Sequence, residues 1–262
     1  MPGEPIISVM SKNLYLLSVI TLTALSGVNA QCVITDDVRI AAGTMAPPFA
    51  SCGDVVTYQG YDYATVLIGD QCWFAENLRN EYYENGDAIP SNLSDSEWGS
   101  TTSGAVAVFG EDSGCNNYSP DIDACDPAQS FDEYGRLYNW YAVDDARGLC
   151  PSGWHVPTDG EWTLMTYHLG GPSIAGGYMK TTYGWNNGGN GTNSSGFSGL
   201  PGGIRDSNGD FDYAGNGGYW WSSSPSGSSA RYHYLDLNDE DVYSGSNGRR
   251  GGFSVRCVLD AE

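Results

Sequence analysis

Basic residues are scarce in this sequence. Lys and Arg together number 11, against 32 Asp and Glu, and the formal net charge is −21. Such a chain is repelled by the phosphate backbone of nucleic acids and by anionic membrane surfaces, so we exclude both as partners. An acidic surface favours solubility outside the cell, and a second interpretation is that it binds cations, most simply Ca²⁺.

Residues that carry common catalytic and zinc chemistry are also few. The chain has three histidines, at 155, 168 and 233, without metal-ligand spacing, and no CxxC pair, so no zinc site is expected. The serines at 222–224 lack the GxSxG context of a nucleophile. No pair of carboxylates is singled out for glycoside hydrolysis. We therefore expect no enzyme, with a hydrolase kept as the third interpretation.

Long apolar runs are confined to the N-terminus. Lys12 precedes an apolar segment at 14–25, and Val28-Asn29-Ala30 has the small-x-small form of a signal-peptide cleavage site. We assign residues 1–30 to a signal peptide, with Met10 as an alternative start. No later run is long enough for a membrane helix. The mature chain is therefore expected to be extracellular or at the cell surface.

Seven cysteines follow the predicted cleavage site, and in an exported protein most of them form disulfides. The sequence alone does not determine their pairing. Our expectation is two local pairs and one long closure, with Cys72 left unpaired and buried: Cys32–Cys52, Cys115–Cys125 and Cys150–Cys257.

The composition of 36 Gly, 18 Tyr and 8 Trp is typical of a β-rich and loop-rich domain. A leader at 31–54 precedes an alternating segment that predicts a hairpin from residue 55 onward. A long polar loop is expected over 84–131, followed by a first helix over 132–146. Later, a turn at 207–210 and three strands at 218–225, 230–237 and 251–258 are expected to complete the sheet.

The stretch CPSGWHVPTDGEW, at 150–162, contains residues typical of active sites. Thr158 and Glu161, however, have the spacing of a helix capping box. Trp162, Met165 and Leu169 would then form the apolar face of a helix that ends at the glycines 170–171. The carboxylates of this stretch are therefore assigned to helix formation rather than to chemistry.

Two acidic clusters are candidates for calcium binding, because Ca²⁺ prefers carboxylate and carbonyl oxygens. We list their residues as Asp121, Asp123 and Asp126, and Asp236, Asp239 and Asp241. A second candidate site is aromatic. Aromatic rings stack on sugars, and four residues of the C-terminal half are assigned to ligand binding: Trp185, Tyr219, Trp220 and Tyr232. The alternative is that most of these rings fill the core.

Several ordered segments resemble the Fibrobacter succinogenes major paralogous domain (FISUMP) family over roughly residues 55–259. They are IGDQCWFAENLR (68–79), YGRLYNWYA (134–142), CPSGWHVPTDGEWTLM (150–165), GTNSSGFSGLPGGIRDSNGDF (191–211), YWWSSS (219–224) and GFSVRCV (252–258). The resemblance implies an exported bacterial protein from a family with many copies per genome.

The VPT-x-x-EW and GF-x-VR segments are also similar to those of formylglycine-generating enzymes, which have a C-type-lectin-like fold. This implies a single α+β domain with two short helices, small twisted antiparallel sheets, and a tie between Cys150 and Cys257. Asn238 and Asp239 resemble the sugar and calcium site of C-type lectins. The paired C-terminal cysteines of the enzyme are missing here, so its activity is not implied.

These observations lead to three hypotheses of function. The first is an exported, non-catalytic binding module for a glycan or a cell-surface protein. The second is a self-assembling building block of an extracellular matrix or filament. The third is the hydrolase named above. Fold similarity by itself supports only a weak inference about function.

Overall fold

The computed structural model describes residues 51–111 and 114–260. The expected signal peptide, and all but the last four residues of the leader, lie outside this part of the chain. Within it, no helix is sufficiently long and apolar to cross a membrane.

Strands dominate the described residues, as the composition predicted. They are β1 Val56–Tyr58, β2 Tyr61–Tyr63, β3 Thr65–Ile68, β4 Gln71–Phe74, β5 Val106–Ala107, β6 Leu137–Asn139, β7 Trp154–His155, β8 Gly202–Arg205, β9 Phe211–Ala214, β10 Gly217–Ser226, β11 Ser229–Asp236, β12 Val242–Gly248, β13 Gly252–Phe253 and β14 Val258–Leu259. The helices are α1 Asp95–Ser100, α2 Pro127–Tyr134, α3 Trp140–Val143, α4 Asp159–His168 and α5 Ala175–Met179.

The strands form three sheets. The large sheet has the order β12-β11-β10-β8-β13-β6-β5, with β9 paired to β8. The small sheet has the order β3-β4-β14-β7, and β1 and β2 form a separate hairpin. The pairings are antiparallel except the one between β10 and β8. This is an α+β, disulfide-containing fold, as expected.

The helix predicted from CPSGWHVPTDGEW is α4. The Thr158 Oγ1 accepts from the backbone N–H of Glu161 at 3.2 Å, and the Glu161 carboxylate accepts from the backbone N–H of Thr158 at 2.7 Å. Both bonds satisfy N–H groups that have no partner within a first helical turn. Trp162 and Met165, which belong to α4, are fully buried. The capping-box prediction is confirmed.

Other expectations about elements were wrong. We expected two helices, but the described residues contain five. The segment 132–146, which we expected to be one helix, is divided between α2, β6 and α3. The expected loop over 84–131 contains α1, β5 and the start of α2. The last predicted strand is split into β13 and β14, which belong to different sheets, and β12 was not predicted.

The turn at 207–210 connects β8 and β9, as predicted. Gly209 adopts φ of +107° there, which is a backbone conformation that residues with a Cβ rarely adopt. A Cβ at this position would also lie 2.4 Å from the Cα of Asp95 in α1. The close approach of α1 to this turn therefore depends on glycine.

A buried guanidinium, that of Arg256, connects its own segment to two others, the end of β4 and the loop before β8. Its Nε donates to Asn77 at 2.7 Å, and its terminal nitrogens donate to the carbonyls of Phe74, Phe197 and Ser198 at 2.8–3.0 Å. Asn77 also accepts from the indole N–H of Trp220 at 2.9 Å. Arg256 thereby joins the small sheet to the loop before β8, and Asn77 extends this network to β10.

The structure contains three disulfides among the described cysteines. Cys115–Cys125 and Cys150–Cys257 form, as expected. Cys52 pairs with Cys72, so the expected Cys32–Cys52 pair and the expected free Cys72 were both wrong. Cys32 itself lies outside the described residues.

The Cys52–Cys72 pair follows from the position of the segment before β1. The Thr65 hydroxyl in β3 accepts from the N–H of Gly53 at 2.9 Å and donates to the carbonyl of Asp54 at 2.6 Å. These bonds hold Cys52 beside the β3–β4 hairpin, where its Cα lies 5.7 Å from that of Cys72. That separation is typical of a disulfide.

A buried histidine joins β11 to α4. The imidazole of His233 stacks on Trp162 with ring centroids 5.0 Å apart, and its Nε2 lies 3.0 Å from the Asp159 carboxylate. Burial lowers the pKa of His233 from 6.5 to about 4, although Asp159 opposes the shift. At neutral pH the ring is therefore uncharged and donates from Nε2 to Asp159.

We expect Arg256→Lys to lower the free energy of unfolding by about 3 kcal/mol, because one ammonium group cannot reach acceptors that lie in several directions. Arg250→Lys is the matched control, since Arg250 makes one hydrogen bond, to the carbonyl of Thr101 at 3.1 Å. It should change stability by less than about 0.5 kcal/mol. Urea unfolding measures both, and equal losses would contradict the central role of Arg256.

The depressed pKa of His233 predicts a pH dependence of stability. Between pH 6.5 and about 4 the unfolded chain binds a proton at this residue that the folded protein does not bind. The contribution of His233 to stability is therefore complete above pH 6.5 and is lost as pH falls toward 4, by up to about 3 kcal/mol.

Urea unfolding over this pH range should show a smaller slope in His233→Gln than in the parent protein. His168→Gln is the control, because His168 is an exposed residue at the end of α4. An unchanged slope in His233→Gln would show that burial does not hold this ring neutral.

Candidate functional site

The carboxylates of the first predicted calcium cluster already accept hydrogen bonds from backbone N–H groups. Asp126 caps α2 by accepting from the N–H of Ala128 at 3.0 Å, and Asp123 accepts from the N–H of Cys125 at 3.1 Å. Asp121 accepts from the N–H of Gly184 at 2.8 Å, in a distant loop. The three carboxylates therefore serve separate backbone groups instead of converging on one position.

The second predicted calcium cluster contains an internal cation. The Lys180 ammonium, on a residue that is 3% exposed, donates to the carbonyls of Asp236 at 3.0 Å and Asp239 at 2.7 Å. The Asp239 carboxylate accepts from the Tyr243 hydroxyl at 2.7 Å and from the N–H of Asp241 at 3.1 Å. No group of three or more His, Cys, Asp or Glu side chains in the described residues could hold a metal ion.

Two of the predicted ligand-binding aromatics lie in the core. Trp185 is 2% exposed and Trp220 is 1% exposed. Their indole N–H groups donate to internal acceptors, namely Thr181 and Gly199 for Trp185, and Asn77 for Trp220. Neither ring can stack on a ligand, and for these two residues the core interpretation is correct.

The other two, Tyr219 and Tyr232, belong to a row of tyrosines across β10, β11 and β12. Tyr219 stacks on Tyr234 with centroids 5.3 Å apart, and Tyr234 stacks on Tyr243 at 4.8 Å. Tyr232 lies 5.8 Å from Tyr234. Rings that stack on one another cover their own faces, so the row offers edges and hydroxyls where a sugar platform would require open faces.

Asn238 and Asp239 lie in the turn that follows β11. The Asn238 side chain donates to Asp236 at 2.6 Å, within the same turn. With the Asp239 carboxylate bonded to Tyr243, both residues stabilise the turn and the end of the tyrosine row. The structure does not bring them together with Trp185 or Trp220 on one surface.

A different region forms a cleft with a volume of about 330 Å³. Its walls include three acidic residues, two tyrosines and a loop that contains Asn193 and Ser198. We call it the Arg256 cleft, and its principal lining residues are Tyr61, Glu76, Asn77, Arg79, Asp132, Glu133, Thr182, Tyr183, Asn193, Ser198 and Arg256. Small-molecule sites are commonly cavities of this size with a few polar groups.

The floor of the Arg256 cleft is buried and extensively hydrogen-bonded. Arg256 and Asn77 are buried; Arg256 donates to the Asn77 side-chain oxygen, and both residues donate to backbone carbonyls. Above them, the Arg79 guanidinium lies 4.7 Å from the centroid of the Tyr61 ring and donates to the carbonyl of Phe131 at 2.6 Å. The two arginines therefore hold the walls in place.

The walls of the Arg256 cleft carry hydrogen-bond acceptors that are partly buried. Tyr61 donates to Glu76 at 2.5 Å, and burial together with this carboxylate raises the pKa of Tyr61. Burial also raises the pKa of Glu133, with Asp121 adding to the shift and the Tyr183 hydroxyl opposing it. A carboxyl with a perturbed pKa in a cleft is a physical indication of a functional site.

Sequence reasoning missed this cleft because its parts are far apart in the chain. Glu76 and Arg79 follow β4, Glu133 ends α2, Tyr183 follows α5, and Arg256 precedes β14. The available signal was the presence of charged residues inside the apolar segments WFAENLR and FSVRCV. Charges in such segments require buried partners, and the partners mark where the segments meet.

A family model described as the Fibrobacter succinogenes major domain matches residues 66–259. No curated protein and no solved structure matches the chain. The matched range includes the lining of the Arg256 cleft from Ala75 to Arg256, and leaves out Tyr61 and Ala64.

The Glu133 carboxyl should titrate above its ordinary value of 4.5, because burial disfavours its charged form. Tyr183→Phe should raise this pKa further, since the hydroxyl favours the carboxylate. Carbon-13 NMR titration of the glutamates measures both effects. Glu97, whose pKa is lowered by its capping bonds with Ser94, is the internal reference. A Glu133 that titrates at or below 4.5 would show that burial does not disfavour its charged form.

Proposed function

The chain belongs to the Fibrobacter succinogenes major domain family, and we propose that it is an exported, non-catalytic binding module for a glycan. The Arg256 cleft is the site that we assign to the ligand. The observation that carries this proposal is the combination of wall carboxylates with the Tyr61 and Tyr183 side chains in one cleft, whose floor is the buried, hydrogen-bonded Arg256.

The chemistry of the walls suits sugar hydroxyls. Carboxylate oxygens of Glu76 and Glu133 accept hydrogen bonds, and one carboxylate can accept from two neighbouring hydroxyls. Tyr183, which is 49% exposed, presents an aromatic surface at the rim. The volume of about 330 Å³ is at the lower end for small-molecule sites, so a terminal sugar fits better than an extended chain.

Three features support export. The N-terminal sequence has the pattern of a signal peptide, the net charge is −21, and six of the seven cysteines form disulfides. Disulfides persist in oxidising compartments outside the cytosol. An extracellular or cell-surface location follows from these features as part of the proposal.

A relationship to the C-type-lectin-like fold is also part of the proposal. It is supported by the capping box that begins α4 and by the Cys150–Cys257 disulfide, which connects the segment before β7 to the segment before β14. Both features are those that the sequence resemblance implies. The relationship favours a binding function without specifying the ligand.

A glycan array probed with the purified exported chain tests the proposal. We expect binding to a set of glycans that share a terminal sugar, and we expect Tyr183→Ala to weaken that binding about tenfold, or about 1.4 kcal/mol. Tyr82→Ala is the matched control, since Tyr82 is 47% exposed and does not line the cleft.

Two results would overturn this assignment. One is an array without any bound glycan, and the other is binding that Tyr183→Ala and Glu133→Gln leave unchanged. Chromatography of the glycan after incubation adds a third check. Cleavage that is lost in Glu133→Gln would replace binding with hydrolysis, with Glu76 and Glu133 as the acidic pair.

A second candidate function, an extracellular building block, is favoured by strand β12. Among the described strands it pairs only with β11, and its sequence VYSGSNG contains neither a charge nor a proline. Such an edge can pair with another copy of the chain. Electron microscopy would show polymers that Ser246→Lys abolishes, whereas a monomer at all concentrations would rule this function out.

A further inference from the structure

A second cavity, separate from the Arg256 cleft, lies between α4 and the β11–β12 pair. Its volume is about 180 Å³, and we call it the α4 cavity. Thr163, Thr166 and Tyr167 of α4 line one side, and His233 and Ser244 line the other. None of these residues belongs to the Arg256 cleft, so the two cavities are independent of each other.

His233, a buried residue, lines this cavity and has an unused hydrogen-bond acceptor. The residue is 5% exposed, and its Nε2 is committed to the Asp159 carboxylate at 3.0 Å. Since a carboxylate accepts, the proton of the neutral ring is on Nε2, and Nδ1 carries a lone pair. Within residues 51–111 and 114–260, Nδ1 has no hydrogen-bond partner, and His233 lines the cavity.

The neighbouring hydroxyls also present acceptors. Thr163 donates its hydrogen to the carbonyl of Asp159 at 2.7 Å, and Thr166 donates to that of Trp162 at 2.8 Å. The oxygens of both threonines are therefore left with lone pairs. A ligand that complements these walls must bring donors, and an apolar surface of Pro172 and Val242 completes the lining.

The charge near the cavity favours a neutral donor over an ammonium group. Among the described residues, the carboxylate that contacts His233 is that of Asp159, and it already accepts from His233 and from Arg231 at 3.4 Å. The positive charge of Arg231 acts on the imidazole. At the rim, Tyr167 is 67% exposed and offers an aromatic ring for the apolar face of a ligand.

We propose that the α4 cavity is a second binding site, specific for a neutral, hydroxyl-bearing ring of the size of one pyranose. One ligand hydroxyl donates to His233 Nδ1, and the apolar face of the ring packs against Tyr167. The site would bind its ligand whether or not the Arg256 cleft does. If both sites are occupied by one branched glycan, the second contact raises the overall affinity through effective concentration.

The test is a titration of the nitrogen-15-labelled chain with the methyl glycosides of glucose, galactose and mannose. We expect at least one of them to move the Nδ1 resonance of His233 upfield in a saturable manner, as donation to that nitrogen requires. Tyr167→Ala should weaken this binding about fivefold, in keeping with the loss of one aromatic contact. Leu164→Ala is the control, because Leu164 is 65% exposed on the same helix and does not line the cavity.

Tyr183→Ala in the Arg256 cleft should leave the His233 titration unchanged, which separates this proposal from the proposed function. The methyl glycoside of glucosamine, a cationic probe, should bind more weakly than its neutral counterpart. The proposal is overturned if no neutral glycoside moves the Nδ1 resonance, if the cationic probe alone does so, or if Tyr167→Ala and Leu164→Ala weaken binding equally.

Discussion

The guanidinium of Arg256 is the interaction on which the arrangement of the sheets depends. It is fully buried and has four hydrogen bonds, and the acceptors are an amide and three carbonyls instead of a carboxylate. A buried charge must be satisfied from several directions, so the segments that supply these acceptors have to meet at one point. The small sheet, the loop before β8 and the β10 strand meet there, and the cleft above Arg256 is a consequence of that meeting.

The same requirement shapes the two acidic clusters that the sequence predicted as calcium candidates. Lys180 is buried against carbonyls of the turn after β11, where its ammonium group places a positive charge inside the acidic cluster. At 121–126 the carboxylates accept hydrogen bonds from backbone N–H groups. A carboxylate that already accepts such bonds gains less from a metal ion, so local satisfaction competes with metal binding.

Features that depend on neighbours in the sequence were predictable. The capping box of α4, the turn between β8 and β9, and the Cys115–Cys125 loop each involve residues close together in the chain. Two expectations that depended on contacts between residues distant in the chain were wrong. The Cys52–Cys72 pair depends on Thr65 holding the preceding segment, and the helix expected over 132–146 is interrupted because β6 pairs with β5 and β13. Of the candidate site, the sequence indicated only that charges lie within apolar segments.

The sequence by itself determined the α+β character, the family and the start of α4, since composition, ordered motifs and capping act over short distances. Tertiary structure alone decided which aromatic rings are buried and which polar groups remain unused. Trp185 and Trp220 were assigned to ligand binding with a core role as the alternative, and both are core residues. Glu133 and His233 read as ordinary polar residues, yet each faces a cavity. Burial is a property of the whole packed chain, and no local pattern of residue types can specify it.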